Sequence, residues 1–330
     1  EMKLEISDLK NLTMLNTGTG IESIIFHELG VKKIYHRDIS DIPVNNLNNL
    51  KKNNPKYDNI NSNKINMVED KLFVEEGIDI VYLAGVVHHF SDPKRGLNNI
   101  FSNLNKDARI FLRHYRTGTL IFFIADFVRK FISHDYIKYL DEACKEKFGD
   151  FSMNHADWTS NLYTYLWGLC GDHGFVPSLH LLDKEELDNY FESNGFENLL
   201  PHKLSKYHHD DLESYVLSQT NFIFRKKTNR TDKIFGKFPK HIDQINDISY
   251  REDFIVQTVK MMKKALPKLK TINPKEKVKV MVELFFIADS YRFIKVFLNG
   301  KHNIDDKKFQ LLSNVEGIHY LFQKELESYQ

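Results

Sequence analysis

Short apolar runs alternate with amphipathic segments over the first third of the chain. Apolar runs bounded by polar residues or glycine predict strands, whereas apolar positions three or four residues apart predict helices. The pattern predicts five strands, the first of which ends at Asn16. The other strands are expected at residues 33–36, 64–68, 78–83 and 108–112, with helices at 21–29, 44–52 and 96–104 and a loop at 53–63.

Strands that alternate with helices at this spacing predict a parallel sheet with helices on both faces. In such sheets ligands bind beyond the carboxyl ends of the strands. The loops after the five strands are therefore expected to converge on one crevice. They carry residues 16–20, Asp38, Glu69 and Asp70, residues 84–89, and residues 113–115.

Two glycines and an acid give this crevice its first candidate ligand. Gly18 and Gly20 follow the first strand, and glycine lets a backbone turn tightly and approach a ligand closely. Asp38 ends the second strand, twenty residues after Gly18, where a carboxylate can accept hydrogen bonds from both hydroxyls of a ribose. Strand, glycine turn, helix, strand and acid is the layout of a nucleotide-binding βαβ unit.

The segment 116–180 is unusually long for a connection between strands, and it is rich in apolar and aromatic residues. Residues 119–131 have the periodicity of an apolar helix. Trp158, Tyr163 and Trp167 add an aromatic cluster further along. These aromatic side chains are expected either to wall a substrate lid or to form the core of a helical insertion, and both can be true.

The last part of the chain is expected to be separate and all-helical. Residues 228–239 are polar and basic and predict a linker, and residues 240–330 predict the helical domain. Its segment 275–298 is apolar nearly all round, which predicts a buried helix. The apolar surplus favours packing on the first domain or on a second copy of the chain, so we expect a possible homodimer through this domain.

Composition excludes several classes of protein. The formal net charge is +1, so no global field attracts nucleic acid or an anionic membrane. Two cysteines, Cys144 and Cys170, exclude a disulfide framework and a cysteine-rich zinc site, and we expect both to be buried thiols. No apolar run reaches the ~20 residues that a membrane span needs, and the first residues do not form a signal peptide. A cytoplasmic protein with no bound metal is expected.

Several segments resemble the class I S-adenosylmethionine-dependent methyltransferases. Residues 15–20 (LNTGTG) resemble the glycine motif of that family, and residues 37–40 (RDIS) its ribose-binding acid. Residues 77–93 (GIDIVYLAGVVHHFSDP) resemble its fourth strand and following loop. Residues 182–196 and 218–227 resemble the helix, turn and final antiparallel strand of the family. The resemblance covers roughly residues 10–227.

The resemblance implies the fold. It is a Rossmann-like doubly wound α/β sheet, mostly parallel with a C-terminal antiparallel strand, carrying a helical insertion. The expected domains are residues 1–227 for S-adenosylmethionine binding, with 116–180 as the substrate lid, followed by the linker and the all-helical C-terminal domain.

Two residues depart from the family pattern. Asn16 stands where an acid is usual, and Glu22 stands where a third glycine is usual. A negative charge at Glu22 would repel a pyrophosphate, which argues against the alternative of a nicotinamide-dependent oxidoreductase. The same two departures support another alternative, a non-catalytic methyltransferase-like scaffold subunit.

The resemblance also implies site residues. Asn16, Gly18, Gly20, Asp38, Glu69, Asp70, Ala84 and Gly85 are expected to bind S-adenosylmethionine, with Asp38 on the ribose and Glu69 or Asp70 on the adenine amino group. His88 and His89, with His114 as second choice, are candidate bases, because imidazole titrates near neutrality. Tyr115, Trp158, Tyr163 and Trp167 are candidate substrate contacts. The expected acceptor is an oxygen or nitrogen of a small molecule or sugar.

Overall fold

A computed structural model describes residues 4–115, 118–148, 162–200, 219–227, 236–247, 253–297, 310–312 and 314–330. Contacts between Cα atoms divide the chain into two compact units. Unit 1 combines Glu1–Arg116, Leu182–Leu204 and Gln219–His241. Unit 2 combines Thr117–Leu181, Ser205–Ser218 and Ile242–Gln330.

Unit 1 contains a seven-stranded sheet in the order β3-β2-β1-β4-β5-β7-β6. The strands are β1 (Thr13–Asn16), β2 (Lys33–Asp38), β3 (Ile60–Lys64), β4 (Ile78–Ala84), β5 (Leu104–Tyr115), β6 (Phe196–Asn198) and β7 (Gln219–Lys226). The pairs among β1 to β5 are parallel, whereas β7 pairs antiparallel with both β5 and β6. The predicted fold, a mostly parallel sheet with a C-terminal antiparallel strand, is confirmed.

Helices alternate with most of the strands as far as β5, and, among the residues that the structure describes, three helices follow the last strand. In chain order they are α1 (Ile21–Glu28), α2 (Asp41–Asn53), α3 (Pro93–Phe101), α4 (Leu120–Val128), α5 (Leu140–Phe148), α6 (Leu162–Cys170), α7 (Lys184–Ser193), α8 (Asp253–Thr271), α9 (Pro274–Phe297) and α10 (Val315–Glu327).

Both faces of the sheet are covered, as successive strand residues show. Leu15 and Val81 lie in one buried cluster with apolar side chains of α3 and α7. Their neighbours Met14 and Ile80 lie in a second cluster with Leu47 of α2. Side chains alternate between the faces of a strand, so these parallel strands must be apolar on both sides. This is why the strands read as continuous apolar runs.

The prediction of the third strand was wrong. The strand was expected at residues 64–68, but β3 runs over Ile60–Lys64 and lies within the segment expected to be a loop. Its sequence, INSNK, is polar because only Ile60 and Ser62 are buried in this edge strand. Period-two burial with few apolar residues leaves almost no hydrophobic signal in the sequence.

Unit 2 is helical where it is described. Helix α9 packs against α4, α5 and α6 and against α10. Its predicted burial is confirmed, since Val278, Met281, Leu284 and Phe285 are all fully buried. Cys144 and Cys170 are also buried, as expected. The contacts thus place the helices of the insertion and those of the C-terminal region in one unit. The lid role of residues 116–180 stays a prediction.

Three ion pairs run along the α5–α9 interface inside unit 2. Lys275 pairs with Glu142 at 2.5 Å, Lys279 pairs with Glu146 at 2.8 Å, and Lys147 pairs with Glu283.

Across the parts of the chain that the structure describes, no helix combines the length and the apolar character needed to span a bilayer.

Arg37 fastens the segment between β3 and β4 onto the sheet. Its guanidinium donates to the carbonyl oxygens of Leu72 (2.9 Å), Phe73 (3.0 Å), His36 (3.1 Å) and Asn61 (2.6 Å). The side chain is buried, and burial lowers the pKa of Arg37 to about 10, so it stays charged at neutral pH. The segment it holds includes Phe73, which has a positive φ of 47°.

We expect Arg37→Met to destabilise the protein by about 3 kcal/mol, because four carbonyl oxygens would lose a charged donor in a buried place. Urea unfolding followed by far-ultraviolet circular dichroism measures this. Arg95→Met is the matched control, since the half-exposed Arg95 pairs with Glu69 on the surface and such pairs contribute ~0–1 kcal/mol. Equal losses in the two variants would contradict the anchoring role of Arg37.

Candidate functional site

The glycine turn between β1 and α1 forms one side of the candidate site. Gly18 has φ = 98° and Gly20 has φ = 85°, a backbone conformation that residues other than glycine rarely adopt. A Cβ on Gly20 would lie 3.0 Å from the Leu47 side chain, so α2 packs closely on the turn. A Cβ on Gly18 would have no atom within 4 Å, which leaves room for a ligand there.

Asp38 ties this turn to the end of β2. Its Oδ2 accepts from the Thr17 hydroxyl at 2.9 Å and from the Gly18 amide at 2.8 Å. Its Oδ1 accepts from the Ser40 amide at 2.8 Å. The carboxylate is half-buried. Asp38 therefore shapes the glycine turn, in addition to any bond it makes with a ligand.

A buried polar network links the ends of β1 and β2 through α1. Asn16 Nδ2 donates to Ser23 Oγ at 2.9 Å, and Ser23 Oγ lies 3.3 Å from His36 Nδ1. The Ser23 hydroxyl can accept from Asn16 and either donate to His36 Nδ1 or accept from it, depending on the tautomer of the ring. Burial lowers the pKa of His36 to about 4, so the ring is neutral.

Two polar atoms in this network, Asn16 Oδ1 and His36 Nε2, have no hydrogen-bond partner among the described residues. Asn16 Oδ1 is fully buried and accepts no hydrogen bond there. A buried polar atom without a partner is costly and calls for an explanation. Asn16 was predicted as a cofactor residue, whereas Ser23 and His36 were not. Ser23 follows Glu22, and His36 precedes Arg37 and Asp38, so their polar neighbours leave no local signal in the sequence that singles them out.

The structure places Glu69 and Asp70 away from any strand end. Strand β3 ends at Lys64, and both acids lie exposed in a turn five and six residues later. Asp70 Oδ2 accepts from the Asn66 amide at 2.8 Å, and Glu69 pairs with Arg95 at 3.2 Å. The expectation that they follow a strand directly was wrong because β3 was misplaced. Their role on adenine stays a prediction.

A cluster of imidazole rings lies at the ends of β4 and β5. His88 and His89 form a short turn after Ala84 and Gly85, with ring centroids 3.9 Å apart. The His88 centroid is 5.9 Å from that of His114 and 4.4 Å from that of Tyr115. His88 and His114 are buried. Three predicted base candidates and one predicted substrate contact are thus brought together.

Gly85 lies beside two rings of this cluster, those of Tyr115 and His88. It has φ = 71°, and its amide donates to the Arg113 carbonyl at 3.1 Å. A Cβ there would lie 3.5 Å from the Tyr115 hydroxyl and 4.0 Å from His88 Cε1. His114 Nδ1 lies 2.7 Å from the Tyr115 carbonyl oxygen, so Nδ1 is the donor in this contact.

The glycine turn with Asp38 and the histidine cluster both lie at the carboxyl ends of the strands of the sheet. Strand β1 pairs with β2 and β4, and β4 pairs with β5, all in parallel. Asn16 is the register partner of both His36 and Tyr82, and Ala84 is the partner of Arg113. The carboxyl ends of these four strands therefore lie side by side, as predicted.

The other predicted substrate contacts are not tested by this arrangement. Trp158 lies outside the described residues, and for Tyr163 only the backbone, in α6, is described. Trp167 is half-buried in the same helix of unit 2. Within the described ranges, no three His, Cys, Asp or Glu side chains are grouped to hold a metal ion.

Comparison with known proteins identifies a family. The model of a family described as "Methyltransferase domain" matches residues 15–200, more than half of the chain. That range contains the glycine turn, Asp38 and the histidine cluster. No curated protein matches the sequence significantly.

Solved structures match with low similarity. YcgJ from Bacillus subtilis is 13% identical with a TM-score of 0.39, over 69% of this chain and 98% of that one. Magnesium protoporphyrin IX methyltransferase from Synechocystis, solved with bound SAH, is 13% identical with a TM-score of 0.38, over 67% and 76%. StiE O-MT is 16% identical with a TM-score of 0.32, over 36% and 42%. Several matches, StiE O-MT among them, span about two fifths of the matched protein.

The buried His36 predicts a loss of stability in acid. Its pKa is about 4 in the folded protein against 6.5 ordinarily, so its contribution is complete above about pH 6.5 and is lost as the pH falls towards 4. Between pH 7 and pH 5 we expect the wild type to lose about 2 kcal/mol more than His36→Gln.

Urea unfolding at both pH values measures this difference. Burial lowers the pKa of His319 to about 3, so its contribution to the stability of the protein also falls as the pH falls. His319 is present in both proteins, so this contribution cancels in the comparison. Parallel losses in the wild type and His36→Gln would show that His36 is not held neutral.

Proposed function

Because the chain belongs to the class I S-adenosylmethionine-dependent methyltransferases, it is a methyl-transferring enzyme, and we propose that its acceptor is an oxygen or nitrogen atom of a small molecule or sugar. The observation that carries this proposal is the cluster of His88, His89 and His114 at the same sheet edge as the glycine turn. An imidazole there is suited to take a proton from a hydroxyl or ammonium group.

S-adenosylmethionine is the cofactor, and the residues present fit it. Asn16 Oδ1 is a buried acceptor with no partner among the described residues, as an ammonium group requires. The space beside Gly18 allows close approach of a nucleoside. Asp38 Oδ1 accepts a single hydrogen bond, whereas a carboxylate oxygen can accept two.

In the proposed site, Asp38 accepts from the ribose and Asn16 Oδ1 from the amino-acid end of the cofactor. Glu69 or Asp70 binds the adenine amino group, and Gly18, Gly20, Ala84 and Gly85 line the nucleoside. When bound, S-adenosylmethionine supplies a methyl group on a sulfonium. The protein mainly aligns the acceptor, since proximity and orientation are the larger part of such a displacement.

The histidines supply the proton acceptor in this proposal. Donation from His114 Nδ1 to the Tyr115 carbonyl orients the ring and leaves the lone pair on Nε2. His88 packs against His89, His114 and Tyr115, so it holds the rings in place. Burial keeps bulk water from the transferred proton.

Two further expectations stay proposals. Tyr115, Trp158, Tyr163 and Trp167 are candidate contacts for the acceptor, with 116–180 as the lid. The helical residues 240–330 are the candidate region for a homodimer, which sedimentation of the full chain would detect.

Asp38→Asn tests the cofactor site. Asparagine has the same shape but its Nδ2 cannot accept, so we expect roughly tenfold to hundredfold weaker binding of S-adenosylmethionine and S-adenosylhomocysteine. Calorimetric titration measures the affinities, with NAD as the ligand that should not bind. The control is Asp41→Asn, an exposed acid three residues on that pairs with Lys64. Absence of binding to the folded wild type would favour the scaffold alternative.

His114→Gln and His88→Gln test the base. We expect methyl transfer to fall by about 10²- to 10⁴-fold, with S-adenosylhomocysteine affinity changed by less than about threefold. Release of S-adenosylhomocysteine from a panel of phenols, sugar hydroxyls and amines measures the transfer. His27→Gln, in the last turn of α1, is the control. Full activity in both variants, and in His89→Gln, would rule out a histidine base.

A further inference from the structure

Thr17 occupies one of the acceptor positions of Asp38. Its side chain is 5% exposed, and its hydroxyl donates to Asp38 Oδ2 at 2.9 Å. The Gly18 amide donates to the same oxygen at 2.8 Å. The other oxygen, Oδ1, receives the Ser40 amide at 2.8 Å. The protein itself therefore supplies three donors to the carboxylate that is proposed to bind the ribose.

The arrangement is limited by the number of lone pairs. Each carboxylate oxygen has two lone pairs and accepts about two hydrogen bonds. Oδ2 is already filled by Thr17 and Gly18, whereas Oδ1 has one position left. A ribose diol donates from two neighbouring hydroxyls, so only one of them finds an acceptor while Thr17 keeps its bond.

We propose that Thr17 sets the affinity and selectivity of the site for the ribose, because its hydroxyl competes with one ribose hydroxyl for Asp38 Oδ2. This inference rests on the proposed function, in which Asp38 binds the ribose. The Gly18 amide is fixed by the turn of the backbone. The Thr17 side chain, in contrast, can rotate about a single bond and release Oδ2, so Thr17 is the donor that yields.

Release of Oδ2 costs free energy in a buried position. A buried hydroxyl that loses its acceptor must find another or remain unsatisfied. Binding of a diol therefore includes this cost, and binding of a ligand with one ribose hydroxyl does not. Thr17 thus acts as a positioning residue through Asp38 and lowers the preference of the site for a complete ribose.

Thr17→Val tests the competition, since valine has nearly the same shape and no hydroxyl. We expect S-adenosylhomocysteine to bind about two- to tenfold more tightly to this variant, the equivalent of one net hydrogen bond. The 2′-deoxy analogue of S-adenosylhomocysteine should bind both proteins equally, because its one remaining hydroxyl uses Oδ1. Thr17→Ser restores a hydroxyl and should restore the wild-type affinity for both ligands.

Thr19→Val is the matched control, two residues further in the same turn. The Thr19 hydroxyl bonds Glu22 at 3.2 Å and does not contact Asp38. Its substitution should leave the ratio of the two affinities unchanged. Calorimetric titration of the full chain gives the affinities, and thermal unfolding verifies that each variant is folded.

The possible results separate two failures. Weaker or unchanged binding of S-adenosylhomocysteine to Thr17→Val, with normal binding to the wild type, would overturn the competition and leave the cofactor site intact. An equal gain for the 2′-deoxy analogue would also overturn it, because the effect would not depend on the diol. Absence of binding to the folded wild type would overturn the cofactor site, and the competition with it.

Discussion

The carboxylate of Asp38 joins the end of β2 to the turn after β1, and the candidate site depends on this junction. The Gly18 amide of the glycine turn donates to this carboxylate, and a charged acceptor is the strongest kind of partner for a backbone donor. With Gly18 and Ser40 bonded to the two oxygens of one carboxylate, two loops from neighbouring strands are fixed relative to each other. A ligand that binds there meets a surface whose shape is already set.

Behind this junction the protein uses neutral polar groups instead of charges. Asn16, Ser23 and His36 form a buried chain that contains no formal charge, because burial keeps His36 neutral. Arg37, a buried charged residue next to His36 in the chain, is satisfied by four backbone carbonyls. Asparagine at position 16 fits this environment, since a carboxylate there would require a partner for its charge.

The second half of the candidate site, at the ends of β4 and β5, consists of ring side chains. Methyl transfer from a sulfonium needs alignment more than acid–base strength. Rings that pack on one another give alignment, and the His88 ring packs against those of His89, His114 and Tyr115. Glycine at position 85 allows the positive φ of 71° with which the chain leaves β4 towards His88. The fold thus places these rings at the same end of the sheet as the glycine turn and Asp38.

The sequence alone determined the parallel sheet, the order of its loops and the family, because buried strands such as β4 are apolar on both faces and the glycine turn and Asp38 have a fixed spacing. It also determined the burial of α9, because that segment is apolar nearly all round. It did not place β3, whose polar edge carries little hydrophobic signal, and so it misplaced Glu69 and Asp70 relative to the sheet. Only the tertiary structure showed that Thr17 shares Asp38 with Gly18, and that Ser23 and His36 meet Asn16. Hydrogen bonds between residues distant in sequence depend on three-dimensional register, and no local pattern of residues records it.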